Sequence, residues 1–207
     1  MSRNLIIPEQ ELDELIELPY QENEIQFALV YPEQDATGLP SDQIGVCGGI
    51  VLAEGSPAEV GRSHTAEGLL RDLSGRTEDT DFEYLLGHTH SEKTVENHGV
   101  QYADGFSSGD LKSIDKEARR RGEPGYFEVL VTPGRPVQMT DGTTGFDPDN
   151  WNIMASHDDV DIYRGNWSDE NPPESNMSSK AFLQYNKEMR EELDELADTY
   201  DVEFLTR

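Results

Sequence analysis

Two histidines one residue apart, His88 and His90, are the residues of this sequence best suited to chemistry. In an extended segment, residues i and i+2 project to the same side, so two imidazoles at this spacing can chelate one zinc ion. A bare pair at a strand end reads equally well as two surface or hydrogen-bonded histidines. Downstream, Ser107-Ser108-Gly109-Asp110 has the form Ser-x-x-Asp at a helix start. Ser at an N-cap with an acid three residues on is first of all a capping arrangement. The same arrangement aims the Asp rigidly. Two neutral imidazoles and one carboxylate leave a zinc site with a fourth position for water, where the metal lowers the pKa of the water and polarises a carbonyl. Such chemistry needs a general base within hydrogen-bond reach. Glu24, at the head of an apolar run, is the candidate, with Glu22 as the alternative. Since the chain has 43 Asp and Glu, an acid upstream of the histidines says little by itself.

The elements that must position these residues read as follows. Residues 9–18 (EQELDELIEL), after Pro8, predict a short acidic helix with Leu12, Leu15 and Ile16 at helical spacing. Residues 24–32 and 44–53 predict strands, the second glycine-rich, separated by a turn-rich loop. Residues 55–80 are ambiguous. A third strand, 82–87, runs directly into His88, and residues 91–106 read as a long polar loop. The helix opened by Ser107 carries Arg119, Arg120 and Arg121 in its last turn and stops at Gly122, as the helix dipole and the left-handed cap favour. Residues 127–132 predict a strand, with 137–140 as its hairpin partner. Residues 141–177 are turn-rich and include Trp151 and Trp167. A final amphipathic helix, 179–200, puts Phe182, Tyr185, Met189, Leu193, Leu196 and Tyr200 on one stripe. The sum is a mixed α/β domain.

Composition limits the function classes. The chain has 207 residues, with 16 Lys and Arg against 43 Asp and Glu, a formal net charge of −27. Nucleic-acid affinity comes from Lys and Arg neutralising phosphates, so nucleic acid is not expected as a partner. No apolar run is long enough to span a bilayer, and no signal-peptide core follows the N-terminus. The acids are scattered among strand-like and helix-like segments, which points to a folded cytoplasmic protein adapted to high salt rather than to disorder. The single cysteine, Cys47, excludes an internal disulfide and a multi-cysteine zinc site. It reads as a buried strand residue, and His64 and His157 read as surface residues.

Taken in order, Glu24, His88-Thr89-His90 and Ser107-Ser108-Gly109-Asp110 resemble the JAMM (MPN+) metalloprotease family, in the form of a salt-adapted (haloarchaeal-like) prokaryotic member. The resemblance covers roughly residues 5–140. It implies a cytidine-deaminase-like mixed sheet flanked by helices over 1–140. A turn-rich extension, 141–178, would follow, and then a helix, 179–207, packed on the domain or at a dimer contact. It implies His88, His90 and Asp110 as ligands of Zn2+, Glu24 as the base and Ser107 as a donor to the tetrahedral oxyanion. The implied activity is hydrolysis of peptide or isopeptide bonds, removing ubiquitin-like modifiers from protein substrates. Two features differ from the family pattern. Ser91 stands where the family has Pro, and the sixteen residues 91–106 exceed its usual spacing and offer His98 and Asp104 as alternative ligands. Aligning VCGGIVL with the family's first strand instead puts Gln43 and Gly45 near the position of the Glu. That alignment leaves no base and reads the chain as a catalytically inactive binding or scaffold module.

Overall fold

The computed structural model describes residues 3–32, 43–46, 48–56, 82–147 and 149–164. The expectations for Cys47, His64, Trp167, residues 57–80 and the helix at 179–200 lie outside them. Among the described residues, ten short strands and three α-helices form a mixed α/β fold. A five-stranded sheet has the order β4-β2-β5-β6-β9, built from β2 (Ile25–Pro32), β4 (Gly48–Glu54), β5 (Phe82–Thr89), β6 (Val129–Thr132) and β9 (Asn152–Ala155). The β5–β6 pair is parallel and the other pairs are antiparallel. A three-stranded parallel sheet sets β1 (Arg3–Ile7) between β3 (Gln43–Gly45) and β10 (Val160–Arg164). A small ribbon pairs β7 (Val137–Gln138) with β8 (Thr144–Gly145).

Alternation along β2 separates the two faces of the larger sheet. Ile25, Phe27, Leu29 and Tyr31 enter the main core with Leu5 and Ile7 of β1, and with Leu12 and Leu15 of α1 (Glu9–Glu17). Gly87 of β5 lies opposite Phe27 on this face. A Cβ at Gly87 would sit 2.3 Å from the Phe27 ring and 2.9 Å from the Val129 carbonyl, so glycine is what lets the ring cross β5 here. The other face carries Gln26 opposite His88.

Two helices follow β5 in sequence. α2 (Glu92–His98) falls in the segment expected to be a polar loop. Its sequence, EKTVENH, has no apolar period to announce a helix. Ser91 caps it by accepting from the Thr94 N–H, and Val95 packs with Ala103 and Phe146 in a second small core. α3 (Ser108–Arg121) begins and ends as the sequence predicts. Ser107 and Asp110 form a reciprocal capping box, and Gly122 closes the helix at φ 73°.

Two strand pairings differ from expectation. Residues 137–138 pair with 144–145 rather than with β6, whose antiparallel partner is β9. The backbone turns at Gly134 (φ 73°), where a Cβ would lie 1.7 Å from the Asn150 carbonyl oxygen, so the chain leaves the sheet at that point. The segment after residue 140 therefore adds a strand to each sheet, β9 to the larger and β10 to the smaller. No helix among the described residues is long and apolar enough to cross a membrane.

Candidate metal centre

His88 and Thr89 close β5 and His90 follows directly, and the alternation of the extended chain divides their roles. Thr89 is fully buried, and its Oγ1 accepts the Ile25 N–H at 2.9 Å, tying the start of β2 to the end of β5. His88 and His90 project to the opposite side, their ring centroids 5.3 Å apart. The His90 N–H donates to the Val131 carbonyl at 3.1 Å, which anchors the pair to β6 as well. With Gln26 opposite His88 in an antiparallel register, Glu24 sits two residues further on, level with His90 and on the same face. The histidine pair and the acid thus share one surface because strand pairing fixes both.

Asp110 arrives from α3. Its Oδ2 accepts the Ser107 N–H at 2.6 Å, and its own N–H donates to Ser107 Oγ at 3.2 Å. The capping box therefore serves as the aiming device. It leaves Oδ1 at 3.5 Å from His88 Nε2 and Oδ2 at 3.3 Å from His90 Nε2. Ligand atoms of His88, His90 and Asp110 all lie within 4.8 Å of one another, the one such cluster of three among the described residues. Of the alternative ligands in the 91–106 segment, Asp104 is taken up by a bidentate pair with Arg135 at 2.7 and 2.9 Å. The His98 ring packs against Tyr102.

The donor set fits a divalent metal on two counts. His90 Nδ1 lies 2.8 Å from the Tyr102 carbonyl oxygen. A proton on Nδ1 satisfies that bond and turns the lone pair of Nε2 toward Asp110. His88 Nε2 is buried and makes no directed hydrogen bond, an unsatisfied polar atom of the kind that calls for an ion. Two nitrogens and one carboxylate are the three protein ligands of an open zinc site.

Electrostatics agree with the geometry. Burial pushes the Asp110 carboxyl upward, but the imidazoles of His88 and His90 and the Ser107 bond outweigh it and hold the group well below the ordinary carboxylate range. Burial pushes His90 down, yet its bonds to Asp110 and the Tyr102 carbonyl leave it above its ordinary value. Glu24, only 5% exposed, is pushed up by burial. The hydroxyl of Thr94, donating to Glu24 Oε1 at 2.8 Å, and the two histidines oppose that rise. Glu22, by contrast, is exposed. Gln43 lies on β3, in the smaller sheet.

The sequence reading gave no role to Thr89, Thr94 or Tyr102. Thr94 and Tyr102 come from the 91–106 segment, which is pinned at Ala103. The Ala103 carbonyl accepts from Thr132 Oγ1 at 2.9 Å and from Asn152 Nδ2 at 3.1 Å. The one local signal was Ser91 with Thr94, a helix-start pattern that leads from the second histidine into a capped turn. No protein-family model matches the chain, and no curated protein matches it closely.

Proposed function

We propose that the protein is a zinc-dependent metallopeptidase of the JAMM type that hydrolyses peptide or isopeptide bonds and removes ubiquitin-like modifiers from proteins. The observation that carries this reading is the meeting of His88, His90 and Asp110 within 4.8 Å beside a buried acid, Glu24, level with His90 on the same sheet face. Zinc held by the three side chains would supply Lewis acidity toward water and the scissile carbonyl.

The chain's own residues account for the remainder. His88 and His90 are neutral ligands, the second kept in its tautomer by the Tyr102 carbonyl. Asp110 adds one negative charge from a fixed cap. Glu24 is the base. Its raised pKa suits it to take a proton from water and pass it to a leaving amine, and Thr94 holds the carboxylate in place. Ser107, at the rim of the same cap, donates to the oxyanion.

The test uses the full chain in high salt and a conjugate of a ubiquitin-like modifier. Cleavage requires zinc and is abolished by chelation. Glu24→Ala retains zinc and loses cleavage. A Glu24→Ala protein that cleaves normally removes Glu24 from the mechanism.

A further inference from the structure

Away from the metal centre, the start of β5, the turn after α3 and the segment leading to β6 enclose a cavity of about 520 Å³, within the range of small-ligand sites. Its lining includes Tyr31, Tyr84, Tyr126 and Phe127, together with Arg3 and Arg121. Arg121 is clamped. Its Nε donates to Glu117 at 2.8 Å, Nη2 donates to the Tyr84 hydroxyl at 3.3 Å, and the group stacks 5.0 and 4.7 Å from the Tyr84 and Tyr126 ring centres. Arg3 lies 4.8 Å from the Phe127 ring centre and donates to the Gly125 carbonyl. No carboxylate among the described residues pairs with it.

That last point is unusual in a chain where acids outnumber bases 43 to 16. A guanidinium offers five donors in a planar fork shaped for a carboxylate, and the bond to Gly125 uses a fraction of them. Gly125 itself keeps the space open, since a Cβ there would lie 3.1 Å from Arg3 Nη2. Glu83 and Glu123 also line the cavity at its exposed edge; burial pushes the Tyr31 phenol up, and both acids lie close enough to add to that rise, Glu83 through a hydrogen bond. Their repulsion grows with the charge of a ligand, so it weighs least on one with a single negative charge held against Arg3.

We propose that this cavity is a second ligand site that takes a monocarboxylate joined to an aromatic or apolar group, with Arg3 binding the carboxylate and the rings enclosing the body. The source is either a free small carboxylate or the C-terminal carboxylate of a peptide. The site stands apart from the metal centre, because Tyr84 precedes His88 by four residues of strand, about 13 Å. Its fate is therefore independent of the peptidase reading.

Calorimetric titration of the full chain with 3-phenylpropanoate and its neutral amide tests the proposal, alongside the peptide Ala-Ala-Phe with a free or amidated C-terminus. Both acids bind, and each amide binds at least about tenfold more weakly. Arg3→Lys, which loses the planar fork, weakens the acids by a similar factor with zinc content unchanged. Whichever acid binds tighter identifies the source. The proposal is overturned if acid and amide bind equally, if neither acid binds at about 10 mM, or if folded Arg3→Lys binds the acids as the parent does. Should Arg3→Lys fail to fold, the acid–amide comparison on the unaltered chain decides alone.

Discussion

Thr94 is the side chain that acts most directly on Glu24; its hydroxyl also bonds Ser91 Oγ at 3.1 Å, so the pH dependence of its removal, rather than the loss itself, reports on Glu24. The hydroxyl donates to Glu24 Oε1 at 2.8 Å, and both residues are buried. Thr94→Val keeps the branched shape and deletes the donor. In the fold, burial sets the Glu24 carboxyl above its ordinary value, and the Thr94 bond opposes that rise. A folded-state pKa above the unfolded one means that the folded chain binds more protons. Stability from this group therefore falls as pH rises through the carboxyl range. Thr94 relieves part of that cost. A hydrogen bond to a charged group is worth roughly 1.5–3 kcal/mol and one between neutral groups roughly 0.5–1.5 kcal/mol. Thr94→Val therefore costs about 1.5–3 kcal/mol toward alkaline pH, in the ionised form of Glu24, and about 0.5–1.5 kcal/mol toward acid pH, in its protonated form. Urea unfolding of both proteins in chelator at fixed ionic strength measures the two losses. Under the proposed function, the acid limb of the cleavage profile of the zinc-loaded chain moves to higher pH while metal content is unchanged. Equal losses at the two pH values, or no loss, refute the coupling of Thr94 to the Glu24 charge.

Asp110→Asn keeps an oxygen for the Ser107 N–H, so α3 retains its helicity by circular dichroism while zinc binding is lost; retained zinc would separate Asp110 from the ligand set. Gly87→Ala forces Phe27 or β6 to shift and lowers stability by about 1–3 kcal/mol or more in denaturant unfolding, an effect that Phe27→Leu partly relieves. The metal-free site has its own pH window. His90 lies above its ordinary value, so its contribution is present below about pH 6.5 and fades as pH rises. Asp110 lies below its ordinary value, so its contribution is present above about pH 4 and is lost as pH falls further. Zinc requires deprotonated histidines. The gap in melting temperature between zinc-loaded and chelated protein should therefore widen from about pH 5.5 to 8; a constant gap contradicts the ligand assignment.

The parts of the fold and site that were legible in the sequence depend on local physics. α3 announced itself by Ser107, Asp110, its terminal arginines and Gly122, and each does in the fold what that position favours. β2, β5 and β6 are apolar runs bounded by turn residues, and the i, i+2 rule alone put His88 and His90 on one side. The rest depends on long-range pairing. β1 shows in sequence only as a short apolar stretch, and it is a strand because residues 43–45 and 160–164 pair on its two sides. β9 and β10 lie in a turn-rich, polar stretch with nothing periodic to mark them. The same limit hid Thr94 and Tyr102, since a hydroxyl or a backbone carbonyl leaves no pattern until strand register brings Glu24 level with His90. Glu24 itself was one acid among 43, and burial is what distinguishes it.

Titration of the chelator-treated chain with Zn2+, followed by metal content per chain, tests the central claim most directly. The proposed function predicts one zinc per chain, lost in His88→Ala, in His90→Ala and in Asp110→Ala, and retained in His98→Ala, Asp104→Ala and Glu24→Ala. Stoichiometric zinc in His90→Ala, or its loss in Asp104→Ala alone, would contradict a centre built from His88, His90 and Asp110.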